Sequence, residues 1–334
     1  MKLDGGLMGD LDGIPERART LEAQGYDAAI TAEISNEPFF PLVLAAEHTE
    51  RIDLMTSIAV AFARNPMNLA QVGHDLNVYS KGRFVLGLGS QIAPHITRRF
   101  SMPWSHPAAR MREFILAMRA VWDCWYEGEK LAFRGDFYTH TLMTPMFTPS
   151  DHSQGAPRVF LAGVGPLMTE AAGEVADGLI AHAFTTERYM REVTLPALER
   201  GFEKGGRKRG DFEITCPVFV VTGADEKAYA ASRQSVCQQV SFYGSTPAYR
   251  PVLEMHGWGP LQSELNALSK QGRWVEMGEL IDDDILEQFA IVAEPHRVGE
   301  ALRARYGDLI DRLLVSFQLP DPDQQAEVMA ALRA

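Results

Sequence analysis

The chain has 334 residues, 46% hydrophobic and 23% charged. That is globular composition with enough apolar residues for a large core, and the length leaves two domains or one large barrel open. With 32 Lys and Arg against 44 Asp and Glu, the net charge of −12 has the wrong sign for a nucleic-acid-binding surface. Three cysteines without CxxC spacing argue against a disulfide framework and a thiolate metal centre. The opening Met1-Lys2-Leu3-Asp4 carries an acid where a signal sequence places its apolar core, and no apolar run approaches the roughly 20 residues of a membrane span. Neither export nor membrane insertion is expected, and a reducing cytoplasm is the expected compartment.

Short apolar runs alternate with longer amphipathic ones, the pattern of βαβ units on a parallel sheet. Strands are expected at Leu3–Met8, Tyr26–Ala32, Ile52–Phe62 and Arg83–Leu88. Helices over Ile14–Gln24, Pro38–Glu50 and Pro66–Ser80 lie between them, and His106–Tyr126 reads as a long fourth helix. Leu131–Tyr138, centred on Arg134-Gly135-Asp136, reads as a hairpin outside the main pattern. Strands then follow at Arg158–Leu161, Gly178–Ala183 and Phe212–Val221, with helices at Pro166–Ala176, Thr186–Lys204 and Asp225–Val240; Pro217 makes the last of these strands irregular. From Phe242 to about Phe289 the alternation gives way to an inserted helical stretch, in which Asp282-Asp283-Asp284 reads as an acidic helix start. Pro295–Tyr306 and Arg312–Phe317 supply a last helix and strand, and Asp323–Arg333 a terminal helix. Eight strands alternating with helices predict an α/β fold, a (β/α)8 TIM barrel forming one domain over residues 1–334.

In a barrel the functional groups follow the carboxyl ends of the strands. Glu33 stands there after the second strand, either as a proton-transfer group or as a solvated or capping carboxylate. The third strand ends in the small-sided run Ile58 to Ala63, which either admits a flat ring to the backbone or packs tightly on a helix. After the fourth, Gly87-Leu88-Gly89 lacks the third glycine of a dinucleotide fingerprint, and His95 beyond it is either a proton shuttle or a hydrogen-bonded structural residue. Arg98 and Arg99 suit an anion or a plain surface. Gly163-Val164-Gly165 runs from a strand into a helix start, where free backbone N–H groups suit a phosphate. His182, Thr185 and Thr186 end the sixth unit's strand, either threonine serving as a helix cap or a phosphate ligand. No metal-ligand spacing appears among His, Cys and acidic residues, so no metal site is expected.

Three segments occur in order: Thr56-Ser57-Ile58-Ala59-Val60-Ala61-Phe62-Ala63-Arg64-Asn65-Pro66, Ser80-Lys81-Gly82-Arg83-Phe84-Val85-Leu86-Gly87-Leu88-Gly89, and Ala172-Gly173-Glu174-Val175-Ala176-Asp177-Gly178. Together they resemble the bacterial luciferase-like monooxygenase superfamily over nearly the whole chain. Gly89-Ser90-Gln91-Ile92, the stretch Phe100 to Pro107, and the stretch Phe242 to Arg250 are similar to its coenzyme F420-dependent oxidoreductase branch.

The resemblance implies a barrel, commonly a homodimer, that holds a flavin or deazaflavin at the carboxyl ends of the strands. It implies that the ring leans on a third-strand bulge with a cis peptide at Val60–Ala61, beside Ser90 and Gln91. The cofactor's phosphate and side chain would then meet Gly163, Val164, Gly165, His182 and Thr185. Ile34, Phe62, Trp104 and Tyr243 are expected around the substrate, with Glu33 and His95 as proton-transfer groups. The chain departs from the pattern of F420-dependent dehydrogenases at Ile34 and Ile92, where those enzymes place a His and a Glu. That loss disfavours alcohol oxidation and suits hydride transfer to a small organic substrate needing a single proton donor. Two alternatives stand beside it: an FMN-dependent monooxygenase served by a separate reductase, and a barrel that binds the cofactor without turnover.

Overall fold

The computed structural model describes residues 1–314 and 322–333. In chain order the strands are β1 (Lys2–Gly6), β2 (Ala28–Thr31), β3 (Asp53–Thr56), β4 (Ala59–Val60), β5 (Phe84–Gly89), β6 (Phe133–Arg134), β7 (Thr139–His140), β8 (Arg158–Gly163), β9 (Gly178–Ala181), β10 (Glu213–Pro217), β11 (Phe219–Val221), β12 (Ala290–Val292) and β13 (Arg312–Leu314). The main sheet runs β3-β2-β1-β13-β10-β9-β8-β5-β4, and an additional pairing of β3 with β5 closes it. Counting β3 and β4 as one interrupted strand, this is the expected eight-stranded parallel (β/α)8 barrel.

The described residues divide into two compact units. One comprises Asp4–Ile180 and Ala197–Glu213. In it β2 pairs with β3 from Ala28↔Asp53 to Thr31↔Thr56, and β5 pairs with β8 from Val85↔Arg158 to Leu88↔Leu161. Residues of β2 and β5 are buried throughout, as befits strands covered on both faces. Its helices are α1 (Ile14–Ala23), α2 (Phe39–His48), α3 (Pro66–Tyr79), α4 (Pro107–Tyr126) and α5 (Pro166–Val175). The start of α3 is written in its sequence: the Asn65 side chain accepts from Met67 N–H at 2.9 Å, and Pro66 occupies the first turn where no N–H is needed. β6 and β7 form a hairpin with Phe133 opposite His140, and its second strand lies beyond the expected bounds Leu131–Tyr138.

Asp177 ties this unit together. Its carboxylate accepts from Arg119 and Arg207 and from Val159 N–H at 2.9 Å. Close approach also demands glycine at Gly87, where a Cβ would stand 1.8 Å from the Thr56 carbonyl oxygen.

The other unit comprises Met1–Leu3, Ala181–Pro196 and Ile214–Ala334. β10 pairs with β13 from Thr215↔Arg312 to Pro217↔Leu314, and β11 with β12 from Phe219↔Ala290 to Val221↔Val292. The expected continuous strand Phe212–Val221 is therefore corrected to two. Proline has no N–H to donate, and beyond Pro217 the chain leaves the barrel for a separate two-stranded sheet. The expected helix Thr186–Lys204 is likewise broken, into α6 (Glu187–Tyr189), a π turn over Met190–Thr194, and α7 (Leu195–Gly205). Then come α8 (Glu226–Gly244), α9 (Arg250–Met255), α10 (Gly259–Lys270), α11 (Trp274–Glu279), α12 (Asp283–Phe289), α13 (Val298–Tyr306) and α14 (Pro322–Arg333). Asp282 caps α12 by accepting from Ile285 N–H at 2.9 Å, the role read for the aspartate triplet. Residues 315–317 of the expected strand Arg312–Phe317 lie outside the described residues. Among those described, no helix is long and apolar enough to cross a membrane.

Candidate functional site

The third barrel strand breaks between β3 and β4, and the break is built by side chains from both directions. The cis peptide bond joins Ser57 to Ile58, correcting the expected Val60–Ala61. It lies in the gap where the ladder stops: Ser57 N–H donates to the Thr31 carbonyl at 2.6 Å and Glu33 N–H to the Ile58 carbonyl at 3.2 Å. The Glu33 carboxylate then accepts from Val60 N–H at 2.7 Å and from the Arg64 guanidinium at 2.6 Å. Arg64 also reaches Glu37 at 3.0 Å. Both donors meet Glu33 Oε2, which holds the bulge.

Val60, Ala61 and Phe62 are buried completely. The Phe62 ring is packed, edge to Trp104 at 5.5 Å, with the Arg110 guanidinium 4.5 Å from its centre. Trp104 is half-buried, so it is Trp104 and not Phe62 that meets solvent here.

After β5, Ser90 and Gln91 are half-buried, and Gln91 adopts a left-handed φ of 60°. Ser90 Oγ donates to the Gln91 carbonyl at 3.0 Å, and Gln91 Oε1 accepts from Ile92 N–H at 3.1 Å. His95 opens the π turn His95–Arg99 as an exposed residue, so the structure does not join it to Glu33. Arg99 donates to the Ile34 carbonyl at 2.8 Å, linking the loops after β2 and β5. The large apolar side chains Ile34 and Ile92 in those loops are 64% and 43% exposed.

At the carboxyl end of β8, Gly163 is buried and Val164 and Gly165 are half-buried. Gly165 is the N-cap of α5 and offers no side chain, Pro166 follows, and a Cβ at Gly165 would meet nothing within 4 Å. This leaves an uncapped helix start with open space over the glycine, the geometry that suits an anion.

The remaining predicted residues lie in the other unit. His182, directly after β9, is half-buried between two tyrosine rings, with Tyr243 edge-on and Tyr249 tilted, both at 4.6 Å. Its Nδ1 accepts from Phe184 N–H at 3.0 Å and its Nε2 lies 3.2 Å from the Tyr249 hydroxyl. Both ring nitrogens are therefore engaged within the protein. Loss of hydration pushes the imidazole down to about 4, and burial pushes the Tyr249 phenol up to about 12. Thr185 is buried, and Thr186 caps α6 and contacts His256 Nε2 at 2.9 Å. Arg64, Arg99 and Tyr249 are the partners that residue-by-residue reading does not reach, since each meets its target through chain separations of up to 67 residues.

A cavity of about 550 Å³ in this unit is lined by Tyr229, Glu294, Arg297 and Glu300, and none of the predicted site residues lines it.

The luciferase-like monooxygenase family model matches residues 2–312. An uncharacterized protein of Mycobacterium tuberculosis is 55% identical over 317 residues, 95% of this chain and 93% of its own. The 5,10-methylenetetrahydromethanopterin reductase of Methanolobus tindarius is 28% identical over 305 residues, 89% and 86% of the two chains. Among solved structures, the coenzyme F420-dependent tetrahydromethanopterin reductase from Methanopyrus kandleri superposes with a TM-score of 0.78 at 20% identity, covering 98% of this chain and 96% of its own. The oxygenating constituent of 3,6-diketocamphane monooxygenase from Pseudomonas putida, in complex with FMN, gives 0.66 at 15% identity, covering 98% and 97%. The breadth of the family match agrees with the barrel and with the three sequence segments, and the chain belongs to the luciferase-like monooxygenase family.

Proposed function

We propose that the protein is an F420-dependent oxidoreductase that reduces an activated carbon–carbon or carbon–nitrogen double bond in a small organic substrate. The observation that carries a phosphate-bearing cofactor is the open start of α5 at Gly165, where backbone N–H groups and empty space fit a phosphate; the likeness to 5,10-methylenetetrahydromethanopterin reductase and to proteins named F420-dependent favours F420 over FMN. In a protein of net charge −12, local backbone donors must hold an anionic cofactor against the overall field. A bound deazaflavin supplies hydride transfer at its ring carbon.

The chain's own residues do the rest. Glu33 and Arg64 fix the bulge at Val60 and Ala61, which offers backbone and small side chains as a platform for a flat ring. Ser90 and Gln91 border that platform. Gly163, Val164 and Gly165 present the phosphate cradle. Ile34, Ile92 and Trp104 supply apolar surface for the substrate and exclude water. With isoleucines at those two loop positions and Glu33 engaged by two donors, these loops hold no pair of groups suited to deprotonating an alcohol while a hydride leaves. Reduction of a polarised double bond needs only one proton donor.

The second reading, a monooxygenase using reduced FMN and dioxygen, is supported by the family's description and its FMN-bound structural neighbour. Anaerobic mixing with reduced F420 and an enone separates the two. Oxidation of the deazaflavin without oxygen supports the reductase reading. Substrate turnover only with reduced FMN and oxygen overturns it.

A further inference from the structure

Within the unit that contains Asp4–Ile180, large apolar side chains are left in water on loops that adjoin one another. β1, β2, the interrupted β3 and β4, and β5 are consecutive neighbours in the barrel. Ile34 follows β2 and Ile92 follows β5, while Met8 and Leu11, 49% and 46% exposed, stand beyond the carboxyl end of β1. The backbones beneath them are tied to their neighbours. Leu7 N–H donates to the Ile30 carbonyl at 2.7 Å, Glu33 N–H to the Ile58 carbonyl, and the Arg99 guanidinium to the Ile34 carbonyl. Gly6, the last residue of β1, is itself exposed, and a Cβ there would lie 4.0 Å from Met8 Cγ, so the floor beside Met8 carries no side chain. Asp10 and Asp12, which flank Leu11, and Arg98, beyond Ile92, are exposed. Apolar side chains on adjoining loops with charges at their edge mark a surface that a ligand or partner covers.

Continuity with the bulge favours a ligand. Ile34 directly follows Glu33, whose carboxylate holds Val60, and Ile92 directly follows Gln91. A molecule seated at Val60 and Ala61 therefore has this surface beside it. From β5 to β1 is three strand steps, roughly 14 Å at the ordinary spacing of strands, which is more than a single six-membered ring covers. We propose that the substrate is an enone on an extended apolar carbon skeleton, its reacting double bond at the Val60–Ala61 platform and its apolar body laid over Ile34 and Ile92 toward Met8 and Leu11. This assignment rests on the hydride-transfer reading above. In that reaction the β-carbon of the enone takes a hydride from the reduced deazaflavin and the α-carbon takes a proton from water. The deazaflavin's remaining proton passes to water, so one double bond is reduced and one deazaflavin oxidised.

The first arm of the test needs no cofactor. Calorimetric titration with 4-methyl-, 4-butyl- and 4-heptylcyclohexanone, saturated products of the corresponding enones, is expected to show one site per chain and a Kd that falls about twofold to fourfold for each added methylene. Leu11→Gln and Met8→Gln, both exchanges at exposed positions, are expected to weaken the heptyl ketone about fivefold or more. Equal affinity along the series, or variants that bind the heptyl ketone as the wild type does, overturns the assignment. A dimer in sedimentation that Leu11→Gln dissociates gives the surface to a second copy of the chain and also overturns it. The second arm follows oxidation of reduced F420 by the matching 4-alkyl-2-cyclohexen-1-ones, for which kcat/KM is expected to rise with chain length and to rise less in both variants. Quenching of F420 fluorescence with kcat/KM independent of chain length overturns the substrate assignment and leaves the cofactor reading standing. Length-dependent ketone binding without any F420 quenching overturns the cofactor reading, and this assignment with it.

Discussion

The Glu33 carboxylate accepts a hydrogen bond from the Val60 backbone N–H at 2.7 Å, across 27 residues of chain. This relationship turns an acid that stands at a strand end into the clamp of a strand bulge. The Arg64 guanidinium, 2.6 Å away, completes it, and the two side chains are only 8% and 20% exposed. Glu33→Gln keeps the shape, removes the charge and leaves Arg64 without its nearer partner. We expect a loss of about 1–3 kcal/mol, read as a lower thermal midpoint, with any loss of turnover accompanying loosened cofactor binding. Turnover abolished with stability and F420 affinity intact would restore Glu33 as a proton-transfer group.

Two glycines, one inside β5 and one at the N-cap of α5, predict opposite outcomes for the same substitution. Gly87→Ala forces a Cβ against the Thr56 carbonyl oxygen at 1.8 Å, while Thr56 Oγ1 also bonds both the carbonyl and the N–H of Gly87. A loss above about 3 kcal/mol is expected, because neither backbone can yield. Gly165→Ala meets nothing within 4 Å and has an ordinary extended backbone, φ −90° and ψ 161°. Its stability should stay within about 0.5 kcal/mol of wild type, while F420 affinity falls at least tenfold. Equal F420 affinity in Gly165→Ala would remove the phosphate from this helix start.

His182 makes stability depend on pH. Lost hydration pushes its imidazole from the ordinary value of 6.5 down to about 4. Between those values the unfolded chain binds the extra proton. The contribution is therefore complete above pH 6.5 and is lost as pH falls toward 4, to a total of about 3 kcal/mol. Thermal melts of wild type and His182→Gln at pH 4.5 and 7 check this. The wild type should lose more stability on acidification than the variant, and parallel losses would contradict the buried neutral imidazole.

Asp177 belongs to one of the segments that carry the family resemblance, and the structure gives it a mechanical task. Asp177→Ala strands two guanidiniums, those of Arg119 and Arg207, and the Val159 N–H. About 2–4 kcal/mol of destabilisation is expected, measured by thermal or urea unfolding, with F420 affinity preserved in the folded fraction.

The alternation of apolar runs was enough to place the barrel's strands, because strands covered on both faces read as continuous apolar segments. The same feature hid the break at Ser57–Ile58, since Ile52–Phe62 is apolar on both sides of it. Pro217 signalled irregularity, but the departure of Phe219–Val221 to a separate sheet depends on Ala290–Val292, a three-residue strand directly after a helix that carries no local signal. The place of Gly163, Val164 and Gly165 between a strand end and a helix start was legible, because a strand running into glycines and a proline is local information. The environment of His182 was not, because Tyr249 stands 67 residues away and only the fold brings its hydroxyl to the ring. The partners of Glu33 were likewise out of reach of the sequence, because Val60 and Arg64, which both donate to its Oε2, stand 27 and 31 residues away.

The measurement that bears most directly on the central claim is a paired equilibrium titration of the purified protein with oxidised F420 and with FMN, following the fluorescence of each. The account predicts saturable quenching of F420 at stoichiometric occupancy, weakened in Gly165→Ala, and no saturable response to FMN. Saturable FMN binding with no response to F420 would contradict it.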